Sequence, residues 1–375
     1  MSRKQIPERI RFQLVARAAG RCEYPGCNKV LYEDELTKGP GNISNYAHII
    51  PYKENGPRGA ETIHERPADV NTLDNLMLLC WDHHKEVDTM PVPPKYSASE
   101  LRKHKRDHER RIALVTSIKP ECKSYIVSYT AYIAQGVTSI SEDAARLALL
   151  PHYYPAQRDI IELSPSLPNK PQDNAWYEEA VIDLKSKYNE FILRRLNGCK
   201  STHFSVFAIA PMPLLIQLGS LLNDTSNAMV YQKQRDAGWL WDDNAPDRTF
   251  SILPPSETEC KKPVLMLMLT QEVDDILVKQ ALGEDVAIWK ITSDYHGFDC
   301  ILKNKHLIDF KSVARCALND IARHYPNEDE LHIFPIMPAS ACVEFGRIRT
   351  ANHNPWVVYE KRRDTINFVK TISIK

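Results

Sequence analysis

The chain has 375 residues, 43% of them hydrophobic and 26% charged, a composition typical of a globular protein with two or three domains. Its 48 basic and 48 acidic residues balance, and the lack of any run of 18 apolar residues argues against a membrane-spanning helix. No apolar signal segment follows the basic N-terminus, so we expect a cytoplasmic protein with no membrane partner. The odd number of cysteines, 9, argues against a framework of disulfide bonds.

The first distinctive segment is rich in cysteine and histidine. Cys22 and Cys27 flank a Pro-Gly turn in RCEYPGCNK, and Cys80 and His83 lie close together in CWDHH. Thiolate and imidazole groups suit Zn²⁺, and structural zinc sites join two such pairs. We therefore predict a structural zinc site, the alternative being small buried cysteines and a histidine pair at the surface.

A charged helix is predicted to follow this segment. Ser97 and Glu100 form a capping box, and Arg102, Arg106 and Arg110 then recur every four residues on one face. The first 120 residues carry 20 basic and 16 acidic side chains, a mild excess compatible with nucleic acid. The arginines either follow a phosphate backbone or form an ordinary solvated face.

The second half of the chain alternates helices and apolar strands. An amphipathic helix is predicted over 174–197, after a proline-rich hinge at Pro165, Pro168 and Pro171. Each of three predicted strands runs directly into a helix: HFSVFAIA (203–210), VLMLMLT (264–270) and LHIFPIM (331–337). This order predicts a mostly parallel sheet with helices on both faces.

A ligand site is predicted where those strands end, because ligands of open α/β sheets bind there and helix N-termini offer N–H groups to phosphate. Core packing is the alternative for the aromatic candidates, and helix capping for the last two arginines. The candidate ligand-binding residues are Tyr231, Lys233, Arg235, Trp239, Thr270, Gln271, Pro338, Ser340, Arg347 and Arg349.

Roughly residues 20–90 resemble the HNH endonuclease family. The resemblance is carried by four motifs in a fixed order: the cysteine pair, NYAHIIPYKENGPRG, DNLMLLC and CWDHH. The resemblance implies a ββα-metal finger that cleaves phosphodiester bonds. It implies that His48 is the general base, that Asn75 holds the loop of the finger and orients this base, and that His84 helps to hold a catalytic divalent ion such as Mg²⁺.

The same resemblance implies that Cys22, Cys27, Cys80 and His83 are the structural zinc ligands. The chain departs from the family at one position. Many members place an aspartate directly before the first histidine as a metal ligand, whereas this chain has Ala47. Asn45 or Asp74 is the alternative ligand.

Residues from about 170 to 375 resemble a SAVED domain, a sensor of cyclic oligonucleotides built from two fused Rossmann-like halves. The resemblance is carried by FAIAPMPLLIQLGSLL (207–222), HIFPIMPASACVEFGRIRT (332–350) and PWVVYEKRR (355–363). An HNH nuclease followed by SAVED is the architecture of effectors in CBASS, a bacterial antiphage system.

We therefore expect an α+β ββα-metal finger with structural zinc, followed by an α/β SAVED domain. The expected limits are 1–120 for the HNH domain with its basic helix, 121–170 for a linker or hinge region and 171–375 for SAVED. The resemblance implies an endonuclease that degrades double-stranded DNA once a cyclic dinucleotide similar to cGAMP binds and the protein oligomerises, from a dimer at rest to a tetramer. The alternatives are a zinc-stabilised, ligand-responsive DNA-binding regulator without catalysis, and a sensor scaffold whose finger binds protein.

Overall fold

The computed structural model describes residues 5–59, 62–88, 95–133, 139–166, 173–198, 202–256, 262–326, 330–361 and 367–375. Contacts divide the chain into two compact units, Met1–Lys119 and Pro120–Lys375. Within the described ranges, no helix combines the length and apolar character needed to span a membrane.

The first unit is built around two antiparallel strands and three helices. Strand pairing sets His48 opposite Leu76, and every residue of the second strand is buried. The helix after this strand begins at the very next residue, which gives the ββα order that the resemblance to the HNH family implies. The elements are α1 (Glu8–Arg17), β1 (Ser44–His48), β2 (Leu76–Cys80), α2 (Trp81–Asp88) and α3 (Ala98–Thr116).

Helix α3 starts with the predicted capping box. Ser97 Oγ accepts a hydrogen bond from the Glu100 N–H at 3.2 Å, and Glu100 Oε2 accepts from the Ser97 N–H at 2.8 Å. Leu101, Lys105 and His108 form the buried face of α3, and the His108 ring bonds the Ala18 carbonyl at 3.1 Å. The capping-box prediction is confirmed.

The second unit contains two sheets flanked by helices. A π-helical turn, Tyr188–Leu193, joins its second and third helices. The strands are β3 (Lys123–Thr130), β4 (Tyr154–Pro155), β5 (Ile161–Glu162), β6 (His203–Ile209), β7 (Asn227–Tyr231), β8 (Phe250–Leu253), β9 (Lys262–Met268), β10 (Val286–Ser293), β11 (Leu331–Ile336), β12 (Trp356–Lys361) and β13 (Phe368–Ile374). The helices are α4 (Glu142–Ala148), α5 (Asn174–Lys187), α6 (Arg194–Gly198), α7 (Met212–Leu222), α8 (Ile276–Leu282), α9 (Asn304–His324) and α10 (Ala339–Arg347).

The predicted strands β6, β9 and β11 each lie within a parallel part of a sheet. One sheet has the order β13-β12-β11-β9-β10-β8, with antiparallel strands only at its two edges. The other has the order β4-β3-β6-β7, with β5 also paired to β3, and all of its pairs are parallel. The prediction of a mostly parallel α/β fold is therefore confirmed.

The segment 121–170, expected to be a linker or hinge, contributes β3, α4, β4 and β5 to the second unit. Strand β3 pairs with β6 from Ser124 to Thr130, so this segment forms part of the sheet. Its sequence, KSYIVSYT, mixes polar and apolar residues and lacks the long apolar run of the other central strands. Of the predicted hinge prolines, Pro168 and Pro171 lie outside the described residues.

Helices α7 and α10, which follow strands of different sheets, cross at very close range. A Cβ on Gly219 would lie 2.0 Å from the Val343 carbonyl oxygen, and one on Gly346 would lie 2.1 Å from that of Ile216. Only glycine permits this approach of the two backbones. The crossing joins the two sheets into one hydrophobic core.

Candidate functional site

Three cysteines and a histidine of the first unit converge at the junction of β2 and α2. The Sγ and imidazole atoms of Cys22, Cys27, Cys80 and His83 all lie within 4.8 Å of one another. His83 Nδ1 is 3.1 Å from Cys80 Sγ and 3.7 Å from Cys22 Sγ. A turn closed by the Cys27 N–H and the Tyr24 carbonyl brings the first two cysteines together.

This donor set fits a tetrahedral zinc ion. Three thiolates and one imidazole are a common set of structural zinc ligands, and Zn–S distances of about 2.3 Å suit sulfurs this close together. Burial raises the pKa of Cys22 to about 12, so a nearby cation is needed to favour its thiolate. The Tyr24 ring stacks on His83 at 3.9 Å, which orients the imidazole.

His48 lies buried at the end of β1. Its Nε2 is 2.9 Å from the side-chain oxygen of Asn71, and a carbonyl-type oxygen only accepts hydrogen bonds. The contact therefore places the proton of a neutral ring on Nε2 and the lone pair on Nδ1. The His48 carbonyl in turn accepts a hydrogen bond from Arg58 at 3.1 Å.

Asn75 fastens the two ends of the loop between β1 and β2. Its side-chain oxygen accepts from the Ile50 N–H at 2.8 Å, and its amide nitrogen donates to the carbonyls of Ile50 and Val70, both at 2.9 Å. The side chain is buried, so no solvent competes for these bonds. Asn75 thereby fixes the backbone two residues after His48.

Arg58, which the sequence reasoning missed, links the ends of β1 and α2. Its buried guanidinium donates to the carbonyls of His48, Ile49 and, at 2.5 Å, Val87. It also lies 3.2 Å from Asp88 Oδ1. The backbone at Arg58 is left-handed, φ +64°, which is uncommon for a residue other than glycine.

Asp88 connects Arg58 to His84. Asp88 Oδ2 lies 3.5 Å from His84 Nε2, one helical turn away on α2. Among the described residues, only Cys22, Cys27, Cys80 and His83 form a group of three or more histidine, cysteine or acidic side chains close enough to hold a metal ion. His84 is not part of that group. Of the two alternative ligands, Asp74 is exposed and the Asn45 amide reaches the Ile43 carbonyl at 3.5 Å. How a catalytic ion is held therefore stays a prediction.

In the second unit, the ends of β9 and β11, two of the three predicted strands, meet beside the chain that follows β7. The Thr270 N–H and Oγ1 both donate to the Ile336 carbonyl, at 3.0 and 3.2 Å, beside the buried Pro338 that precedes α10. The Ser340 N–H and Oγ donate to Gln232 Oε1 at 3.1 and 2.7 Å. Thr270, Pro338 and Ser340 are thus brought close to the chain that follows β7.

Two of the predicted ligand residues are core residues instead. Tyr231 stacks on Phe207 at 4.5 Å and Trp239 meets the same ring edge-on at 5.1 Å, and both are almost fully buried. Their faces are not available to a base, so the core-packing alternative is correct for them. Lys233 and Arg235, in the same loop, are exposed, as is Gln271 after β9.

The predicted role of Arg347 in ligand binding also needs correction. Its guanidinium is buried and donates to Glu344 and to three carbonyls, those of Asn223, Ser226 and Ala228. Arg347 is the last residue of α10 and Ser340 lies in its first turn, so the two residues are about 10 Å apart along the helix axis. Half-buried Arg349 follows, its guanidinium 5.9 Å from the ring of Trp356. The structure thus separates both arginines from the strand ends.

Comparison with known families decides the classification. The SAVED family, described as the SMODS-associated and fused to various effectors sensor domain, matches residues 184–374, about half of the sequence. The chain belongs to the SAVED family. The HNH endonuclease family matches residues 32–89, so the predicted order of an HNH module followed by a SAVED domain is confirmed.

Solved structures that resemble this SAVED protein include two Cap4 SAVED/CARF-domain containing receptors. The receptor of Acinetobacter baumannii with the cyclic trinucleotide 2'3'3'-cAAA is 11% identical, over 74% of this chain and 55% of that chain, with a TM-score of 0.45. The receptor of Moraxella osloensis is 10% identical, over 84% and 63%, with a TM-score of 0.42. The chain thus spans a little over half of the first receptor. The search of curated proteins found no match.

The structure adds four residues to the candidate sites: Arg58, Asn71 and Asp88 in the HNH module and Gln232 in the SAVED domain. Only Arg58 lies in a segment that the sequence analysis singles out, the Gly/Pro-rich NYAHIIPYKENGPRG. Each of the other three is a polar residue with a partner far away in the sequence: His48 for Asn71, Arg58 for Asp88 and Ser340 for Gln232. Their roles depend on the folded loop and not on local spacing.

Proposed function

We propose that the protein is the endonuclease effector of a CBASS antiphage system, and that it degrades double-stranded DNA when its SAVED domain binds a cyclic dinucleotide. The observation that carries the proposal is the His48 imidazole, held by Asn71 at the end of β1, inside the segment that the HNH family matches. The fusion of this module to a SAVED sensor supports regulation by a cyclic oligonucleotide. We assign 1–120 to the nuclease and 171–375 to the SAVED sensor, and the pairing of β3 with β6 supports the inclusion of 121–170 in the sensor part.

In this proposal His48 takes a proton from water at Nδ1 as the water attacks the phosphodiester bond. A neutral imidazole can accept that proton as a general base. The bond to Asn71 holds the ring in one tautomer, and Asn75 and Arg58 hold the backbone around it. A bound divalent ion such as Mg²⁺, with His84 as a ligand, would stabilise the charge that develops on phosphate.

The cysteine cluster serves folding in this proposal. With Cys22, Cys27, Cys80 and His83 as ligands, a zinc ion joins the N-terminal turn to the β2–α2 junction. Binding free energy at such a site contributes directly to the stability of the module.

The cyclic dinucleotide is proposed to bind where β7, β9 and β11 end, with the two sheets acting as the two Rossmann-like halves. The exposed Lys233, Arg235 and Gln271 are the side chains that we expect to contact it. A ligand shifts a conformational equilibrium only by its differential affinity, and a change from 1:99 to 99:1 needs about 5.5 kcal/mol. Several sensor sites acting together in a tetramer supply this more readily than one site, so we propose cooperative assembly from a dimer.

The test is incubation of the full chain with supercoiled plasmid, Mg²⁺ and a panel of cyclic dinucleotides and trinucleotides. We expect cleavage with at least one cyclic dinucleotide, and none when Mg²⁺ or the nucleotide is omitted. DNA binding without cleavage under every condition would favour the non-catalytic regulator, an alternative that Ala47 keeps open. Neither binding nor cleavage would favour the scaffold. Activation by cyclic trinucleotides alone would overturn the choice of ligand.

A further inference from the structure

A basic cavity lies between α1 and α3 of the HNH-containing unit. Its volume is about 420 Å³, and Arg17, Arg106 and Arg110 lie in its wall. All three arginine side chains are largely exposed. None of them belongs to the zinc cluster or to the surroundings of His48.

The charges around this cavity are not balanced internally. Arg106 and Arg110 form no ion pair with any described part of the chain. The one acidic residue in the wall, Glu109, already contacts Lys105 at 2.5 Å and Arg17 at 3.8 Å. Two arginines four residues apart on a helix repel each other, so their positions do not serve the stability of α3.

Helix α3 begins beside the loop that contains the candidate active site. Arg102 on its first turns donates to Glu65 at 2.7 Å, and Glu65 belongs to the loop between β1 and β2. Arg106 and Arg110 follow at about 6 and 12 Å further along the helix axis. The unpaired arginines therefore extend away from the loop, whereas Arg102 is already engaged.

We propose that the cavity between α1 and α3 binds the phosphate backbone of duplex DNA beside the cleavage site, with Arg106 and Arg110 as phosphate ligands. Guanidinium groups bind phosphate oxygens in a bidentate manner, and such contacts position a duplex without reading its sequence. The inference rests on the proposed nuclease function, because it assumes that DNA is the substrate.

The test measures the affinity of the full chain for a duplex DNA at several salt concentrations, without Mg²⁺ so that no cleavage occurs. The variant is Arg106→Gln with Arg110→Gln. Each phosphate contact contributes about 0.9 to the slope of log K against log salt, so we expect the slope to fall by about 1.8. Replacement of both residues by lysine should restore most of this slope, and an unchanged zinc content shows that the fold is intact.

The matched control removes two arginines from the SAVED domain, Arg315→Gln with Arg323→Gln on α9, which pair with Asp224 and Asp320. We expect this control to keep the wild-type slope. Equal slopes for the cavity variant and the wild type would overturn the inference, even where the wild type cleaves plasmid. An equal loss of affinity for polyglutamate would also overturn it, since an acidic protein would then be the partner. If the slope falls as expected but no activator elicits cleavage, the surface stands and the nuclease proposal fails.

Discussion

Replacement of Asn75 by alanine tests how the HNH module holds its loop. The change removes one acceptor and two donors and leaves the Ile50 N–H and the carbonyls of Ile50 and Val70 without partners. Each buried polar group that loses its partner costs at least about 1 kcal/mol. With three such groups, we expect the free energy of local opening of this loop to fall by about 3 kcal/mol. Because tenfold corresponds to about 1.4 kcal/mol, the Ile50 amide should exchange its hydrogen more than 100-fold faster.

Hydrogen exchange followed by mass spectrometry on the full chain measures this effect in peptides that cover residues 44–51. Peptides from the SAVED domain provide the internal reference and should not change. The matched control is Asn45→Ala, since the Asn45 amide makes only a 3.5 Å contact with the Ile43 carbonyl, and its effect should stay within about 0.5 kcal/mol. Wild-type exchange at Ile50 in Asn75→Ala would refute the role of these three bonds.

Three further changes probe the other groups. His48→Ala should lower the rate of ligand-activated cleavage by about 10²–10⁴-fold, with unchanged zinc content and ligand affinity. The matched control His64→Ala, which changes an exposed histidine, should cleave at the wild-type rate. Wild-type cleavage in His48→Ala would refute the assignment of His48 as the general base. Metal analysis should find about one zinc ion per chain in the wild type, and Cys27→Ser should lose this ion and unfold the first unit. The control Cys122→Ser should keep both the zinc and the fold. A zinc-free protein that still cleaves DNA would contradict the structural role of the zinc site. Burial lowers the pKa of His203 to about 4, so as the pH falls this histidine is protonated in the unfolded chain before it is protonated in the folded one. The free energy of unfolding of the SAVED domain should therefore decrease by up to about 3 kcal/mol between pH 6.5 and pH 4. The free energy of unfolding, measured with urea at several pH values, should depend less on pH in His203→Asn. An unchanged pH dependence in this variant would show that His203 is not its cause.

Features set by neighbouring residues could be predicted from the sequence. The capping box at Ser97 depends on four residues, and the turn between Cys22 and Cys27 depends on six. The apolar runs of β9 and β11 are long enough to identify buried parallel strands. The order of zinc ligands and HNH motifs was visible for the same reason, because each motif is short.

Features set by distant partners could not be predicted. Trp239 lies among charged residues in the sequence, and only the fold shows that Phe207 of β6 covers it. Arg347 is close to Ser340 in the sequence, yet the length of α10 separates them. Its guanidinium donates to three carbonyls at the start of β7 and in the loop before it. Strand β3 was missed because its serines and tyrosines are polar in the sequence but pair with β6 inside the sheet.

The central claim is that ligand binding to the SAVED domain switches on DNA cleavage by the HNH module. Plasmid cleavage and sedimentation velocity, measured side by side over a titration with the activating cyclic dinucleotide, test it most directly. We predict negligible cleavage without ligand, followed by a steep, cooperative rise that coincides with an increase in assembly size. Equally fast cleavage in the absence of any cyclic nucleotide would contradict the account.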